Sequence, residues 1–162
     1  MATVSPENRW SYSLILPHDP RSVRIARLAL RGVLESHGMG ELADVAELVV
    51  SEFVTNSYLS ADGPAEVRLK EVGDGRIRIS VWDTSPEIPA QFERPGRRGK
   101  GAPPWPADGE GGVDDGTSGL SIVRHCAESW GSWSLRQSLP GVAGKLLWCE
   151  VSPRSGSLGM AA

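Results

Sequence analysis

The stretch Glu41–Ser60, ELADVAELVVSEFVTNSYLS, decides how the rest of the chain is read. At about 100° per residue it forms an amphipathic helix, with Leu42, Val45, Ala46, Val49 and Phe53 on one arc. Asn56 falls inside that arc and Glu52 at its edge, one helical turn apart. An amide or carboxylate buried without partners costs free energy, so the pair needs an explanation. Two readings are open: the pair faces a ligand, or Glu52 sits at the waterline and Asn56 bonds a neighbouring loop.

On the N-terminal side, residues 1–9 are polar and expected to fray, and Trp10–Leu16 alternates as a first strand that Pro17 closes. Asp19-Pro20 has the form of a helix opening, a side-chain cap followed by proline at the first helical position. Val23, Ala26, Leu30, Val33 and Leu34 continue it at helical spacing until His37-Gly38-Met39-Gly40. On the other side, Asp62-Gly63-Pro64 stops the central helix. A hairpin follows, Ala65–Val72 and Arg76–Asp83, joined at Gly73-Asp74-Gly75. Ile77, Ile79, Val81 and Asp83 share one parity, so an apolar strand face ends in a carboxylate. Asp83 is either a second inward polar group or a cap for the turn at Thr84-Ser85-Pro86.

From Ser85 to Gly116 there is no usable periodicity, and glycine, proline and charge dominate. An insert of this length in a small domain reads as a functional lid or a disordered segment. Arg97, Arg98 and Lys100 within it are either anion contacts or simply solvated. Thr117–Ala127 resumes order as a helix, with Leu120, Val123 and Ala127 on one side and Gly116 and Gly119 at its start. Backbone N–H groups at such a start attract anions, although glycines there also serve turns. Trp130–Ser138 and Gly144–Val151, joined at Leu139-Pro140-Gly141, read as a closing hairpin, and residues 153–162 as a flexible tail. The order β-α-α-β-β-lid-α-β-β predicts an α+β two-layer sandwich: one mixed, mostly antiparallel sheet with helices on one face, in a single domain over residues 10–152.

At 162 residues the chain suits one core. A net charge of −3 and a pI near 5.6 leave no broad basic surface, which argues against nucleic acid as the main partner. Neither an export signal nor a membrane-length apolar run is present, so a cytoplasmic protein is expected. Cys126 and Cys149 lie in apolar surroundings without metal or redox spacing and are expected to be reduced and buried. His18, His37 and His125 are far apart and support neither a metal site nor a histidine-based triad.

Three signals now stand in one order: Glu52-Phe53-Val54-Thr55-Asn56 on a helix, Asp83-Thr84-Ser85-Pro86 ending a strand, and Gly116-Thr117-Ser118-Gly119-Leu120 opening a helix after a lid. In that order, with the closing GKLLWCEV, the chain resembles the GHKL ATPases of gyrase, histidine-kinase and MutL type. Within them it looks most like the small anti-sigma-factor serine/threonine kinases. The resemblance implies the Bergerat fold, with ATP and Mg²⁺ as cofactors. It implies Asn56 as the Mg²⁺ ligand, a role that suits an oxygen donor, and Glu52 as the carboxylate that orients or deprotonates an attacking hydroxyl. It implies Asp83 as acceptor from the adenine amino group, and Gly116, Gly119 and Leu120 as the segment closing over the phosphates. Three positions depart from the family pattern. Ser85 stands where the first box carries glycine, Asn56-Ser57-Tyr58-Leu59-Ser60-Ala61 lacks the family histidine, and Leu146 stands where a threonine often holds adenine.

The implied function is a MgATP-dependent serine/threonine kinase that binds a sigma factor and phosphorylates an anti-anti-sigma antagonist protein, with a homodimer possible. The alternatives are a non-catalytic ATP-binding module that switches partner binding, and a degenerate site that keeps only the fold.

Overall fold

The computed structural model describes residues 9–97, 119–135 and 143–153. Its elements are β1 (Ser11–Leu16), α1 (Ser22–Ser36), α2 (Ala43–Ser60), β2 (Ala65–Gly73), β3 (Arg76–Asp83), β4 (Gly96–Arg97), α3 (Gly119–Cys126), β5 (Ser129–Ser134) and β6 (Lys145–Val151), with short 3₁₀ turns at Gly40–Leu42 and Ala90–Phe92. The strands form one open sheet in the order β1-β2-β3-β6-β5-β4, and every neighbouring pair is antiparallel. The helices pack on one side of it, giving the expected α+β two-layer architecture. Gly116, Arg98, Lys100, the turn at 139–141 and the tail beyond 153 lie outside the described residues.

Helix α2 occupies the middle of the helical layer. It packs on β2, β3 and β6 and is flanked by α1 and α3. That position widens its buried surface beyond the expected arc: Val50, Val54 and Ser57 are buried along with Val45, Ala46, Val49 and Phe53. A helix enclosed by the sheet and two neighbours has only a narrow strip left for solvent. Arg31 of α1 ties the two longer helices together, donating to Glu47 (2.7 Å) and also pairing with Asp44 and Glu35. The Arg31 guanidinium in turn holds the Glu47 carboxyl below its usual range.

The turn between β2 and β3 is the predicted one. Asp74 and Gly75 both have positive φ (57° and 71°), the backbone of a two-residue turn that matches strand twist, and Gly73 at φ 100° adds a register irregularity beside it. Helix α1 starts later than expected, at Ser22. Asp19 does act as a cap, but of the preceding turn: its carboxylate accepts from the Arg21 backbone N–H (2.8 Å) and from the Arg21 guanidinium (2.7 Å). Those contacts lower the Asp19 carboxyl to about 2.

The segment after β3 is more tied down than its composition suggests. Phe92 is fully buried and meets Phe53 edge-on at 5.5 Å between ring centroids. Beyond it β4 adds an edge strand to β5, with Gly96 so close to the Trp130 ring that a side chain there would overlap it. Residues 85–97 therefore belong to the packed domain. Both cysteines are free and buried, and burial pushes the Cys149 thiol up. Among the described residues, no helix is long and apolar enough to cross a membrane.

Phe53→Ala removes the α2 side of the aromatic contact from a fully buried site, and is expected to cost about 3–5 kcal/mol. Urea unfolding measures it; a loss under about 1 kcal/mol would show that the Phe53–Phe92 contact is not part of the core.

Candidate functional site

The site is strung along α2 from Glu52 to Ser60, a rise of about 12 Å, and two other elements converge on it. At one end is the close of β3. The parity of Ile77, Ile79, Val81 and Asp83 holds, and all four are buried. Asp83 stays in the strand and also caps the turn, because its Oδ1 accepts from the Ser85 backbone N–H at 2.9 Å. The two readings of this residue are thus not exclusive. Ser85 is itself buried, and its Oγ accepts from the Glu87 N–H at 3.4 Å.

Sequence reasoning did not single out the partner that dominates this end. In the β3–β6 register Asp83 stands directly opposite Lys145. Lys145 Nζ donates to Asp83 Oδ1 (3.0 Å) and Oδ2 (2.8 Å), and to Ser60 Oγ of α2 at 2.9 Å. Ser57 Oγ, one turn earlier on α2, donates to Asp83 Oδ2 at 2.7 Å. The two charged side chains are 0% and 1% exposed. Removing one member of a buried pair leaves the other uncompensated and typically costs about 3–5 kcal/mol, against about 1.5–3 kcal/mol for a hydrogen bond to a charged group. A readable signal existed: Leu147, Cys149 and Val151 alternate as the inner face of β6, and Lys145 shares their parity. Leu146, the position compared with the family threonine, has the opposite parity and is partly exposed.

At the other end α3 packs against α2. Its first residue, Gly119, touches the Glu52 carboxylate so closely that any Cβ there would overlap it. Glycine is required for this approach, and the partial positive charge of a helix start favours the carboxylate by about 0.3–1 kcal/mol. Leu120 points into the core and is buried. Between the two ends lies Asn56, whose Oδ1 is buried and has no hydrogen-bond partner. A buried carbonyl oxygen without a donor is costly for the fold, and it is the kind of hard ligand a magnesium ion takes. The residues present therefore fit a hard cation at Asn56. Among the described residues, no group of three or more His, Cys, Asp or Glu side chains forms a separate metal cluster.

Of the histidines described with their contacts, His18 meets the α2 segment at Tyr58, and neither His18 nor His37 touches Glu52, Asn56 or Asp83 in those contacts. His18 stacks on Tyr58 at 4.5 Å, and His37 stacks on Trp10 and bonds the Tyr12 hydroxyl at 2.7 Å.

A comparison with curated proteins finds no match. The family model of the histidine kinase-, DNA gyrase B- and HSP90-like ATPases does match, over residues 42–154. That span begins at the start of α2 and runs through β6, so it contains Glu52, Asn56, Asp83, Gly119 and Lys145. With the sheet order, the central helix and the orphaned Asn56 oxygen already in place, the match is decisive: the chain belongs to the histidine kinase-, DNA gyrase B- and HSP90-like ATPase family.

Proposed function

We propose that the chain is a MgATP-dependent protein serine/threonine kinase of the anti-sigma-factor type, acting on a small antagonist protein and binding a sigma factor. The observation that carries this reading is the spacing on α2, where a buried oxygen without a partner (Asn56) stands one turn from a carboxylate (Glu52) at the start of a second helix. Family membership supports ATP as the nucleotide. The order of the three sequence signals supports the anti-sigma class.

Asn56 Oδ1 would hold Mg²⁺, a hard cation that takes oxygen ligands. When bound, MgATP supplies the transferable phosphoryl group. Gly119 lets the backbone at the α3 start approach the phosphate end closely, and Gly116 and Leu120 belong to the same segment. Asp83 and Ser85 mark the base end. Glu52 would accept the proton of the attacking serine or threonine hydroxyl as its oxygen bonds to the γ-phosphorus and ADP departs. Phosphoryl transfer asks for positioning and charge stabilisation more than covalent help, so this small set suffices. A non-catalytic nucleotide-dependent binding module is the second reading, favoured by the Glu52 carboxylate being packed on Gly119 instead of standing free.

Asn56→Ala is expected to weaken Mg²⁺-dependent ATP binding about tenfold or more, equivalent to about 1.4 kcal/mol, with the circular-dichroism spectrum unchanged. Isothermal titration with and without a chelator measures this, and equal affinity in the variant would remove Asn56 as the ligand. Glu52→Ala should keep ATP binding yet slow phosphate transfer to a co-purifying antagonist by about 10²–10⁴-fold. Transfer at the wild-type rate in that variant would overturn the base assignment, and a wild-type protein that binds ATP but transfers nothing would favour the binding module.

A further inference from the structure

The hydrogen bonds around Asp83 account for its whole acceptor capacity. A carboxylate offers about four lone-pair positions on two oxygens. Here Oδ1 accepts from the Ser85 N–H and Lys145 Nζ, and Oδ2 from Ser57 Oγ and Lys145 Nζ. Lys145 is equally committed, because its ammonium has three hydrogens and three acceptors, the two Asp83 oxygens and Ser60 Oγ. A base amino group reaching Asp83 would have to displace one of these donors. The Ser85 N–H is held by the turn, and turning the buried Ser57 hydroxyl away would give up a hydrogen bond to a charged group for another of the same kind and so gain nothing. Displacing Lys145 would strand an ammonium in the core, a loss that one returning hydrogen bond does not offset.

Lys145 also has little freedom to swing away. It is the first residue of β6, opposite Asp83 in the ladder, and its side chain is fully buried. The preceding Gly144 lies so close to the Trp82 ring that a side chain there would overlap it, which locks the chain where the strand begins.

Resting on the nucleotide-binding reading above, we propose that Lys145 is a specificity-determining residue: by saturating Asp83 it withdraws that carboxylate from reading the 6-amino group of a purine. The site then takes the triphosphate and the ring with little discrimination at the 6-position. Asp83 becomes a structural anchor that joins β3, β6 and α2, and affinity comes from the Asn56 and Gly119 end.

The test compares MgATP with the magnesium complex of purine riboside triphosphate, which lacks the 6-amino group, by isothermal titration against the wild-type protein and Lys145→Thr. Wild type is expected to bind the two within about threefold. Lys145→Thr, which frees two acceptor positions on Asp83, is expected to prefer ATP by about tenfold or more. A wild-type preference for ATP of tenfold or more overturns the proposal while leaving nucleotide binding intact, as does a folded Lys145→Thr protein that discriminates no better than wild type. Binding of neither nucleotide to either protein overturns the nucleotide reading itself and this inference with it. If Lys145→Thr fails to fold by circular dichroism, the wild-type comparison alone decides.

Discussion

The register of β3 against β6 is the constraint on which the rest of this structure turns. An antiparallel ladder alternates its side chains between two faces, so pairing Ile79 with Cys149 and Val81 with Leu147 forces Asp83 and Lys145 together on the inner face. A slip of one residue would send Lys145 to solvent and leave the buried carboxylate without its cation. The ion pair thus penalises misregister heavily, even where its net contribution to stability is small. Ser57 and Ser60 extend the same network to α2, which fixes how the central helix lies on the sheet.

Helix α2 serves two purposes through different parts of its circumference. Its apolar residues fill the core between the sheet, α1 and α3, whereas Glu52 lies where α2 meets the start of α3 and Asn56 stands one turn further along α2. The core holds these polar groups in place, and their own satisfaction is incomplete, as the unpartnered Asn56 oxygen shows. Among the described residues only Asn56 Oδ1 and Glu128 Oε2 carry such a cost, and the one on α2, a turn from Glu52, points to a ligand there more strongly than the motif alone.

The two ends of the site differ in character. The Asp83 end is buried, paired and saturated by protein groups, and the Glu52 end is partly exposed and built on a backbone approach that only glycine allows. Charge at the closed end is cancelled within the protein, so it is not available to a ligand without a rearrangement of the core.

Periodicity and turn chemistry by themselves determined the helix of Glu41–Ser60 to within a few residues, the Gly73-Asp74-Gly75 hairpin, the inward parity of Asp83 and the two-layer class, because these depend on spacing along a single element. The delayed start of α1 escaped because Asp19 caps a turn instead of the helix itself, a competition between two local hydrogen-bonding patterns that sequence does not resolve. Phe92 and β4 escaped because a lone aromatic and a two-residue strand carry no period. Which groups meet was decided only in three dimensions. Lys145 lies 62 positions from Asp83, and Glu52 is far along the chain from Gly119. A lysine at the head of a strand reads as solvated until the register of its neighbour places a carboxylate opposite, since pairing across a ladder is a property of two segments and is written in neither one alone.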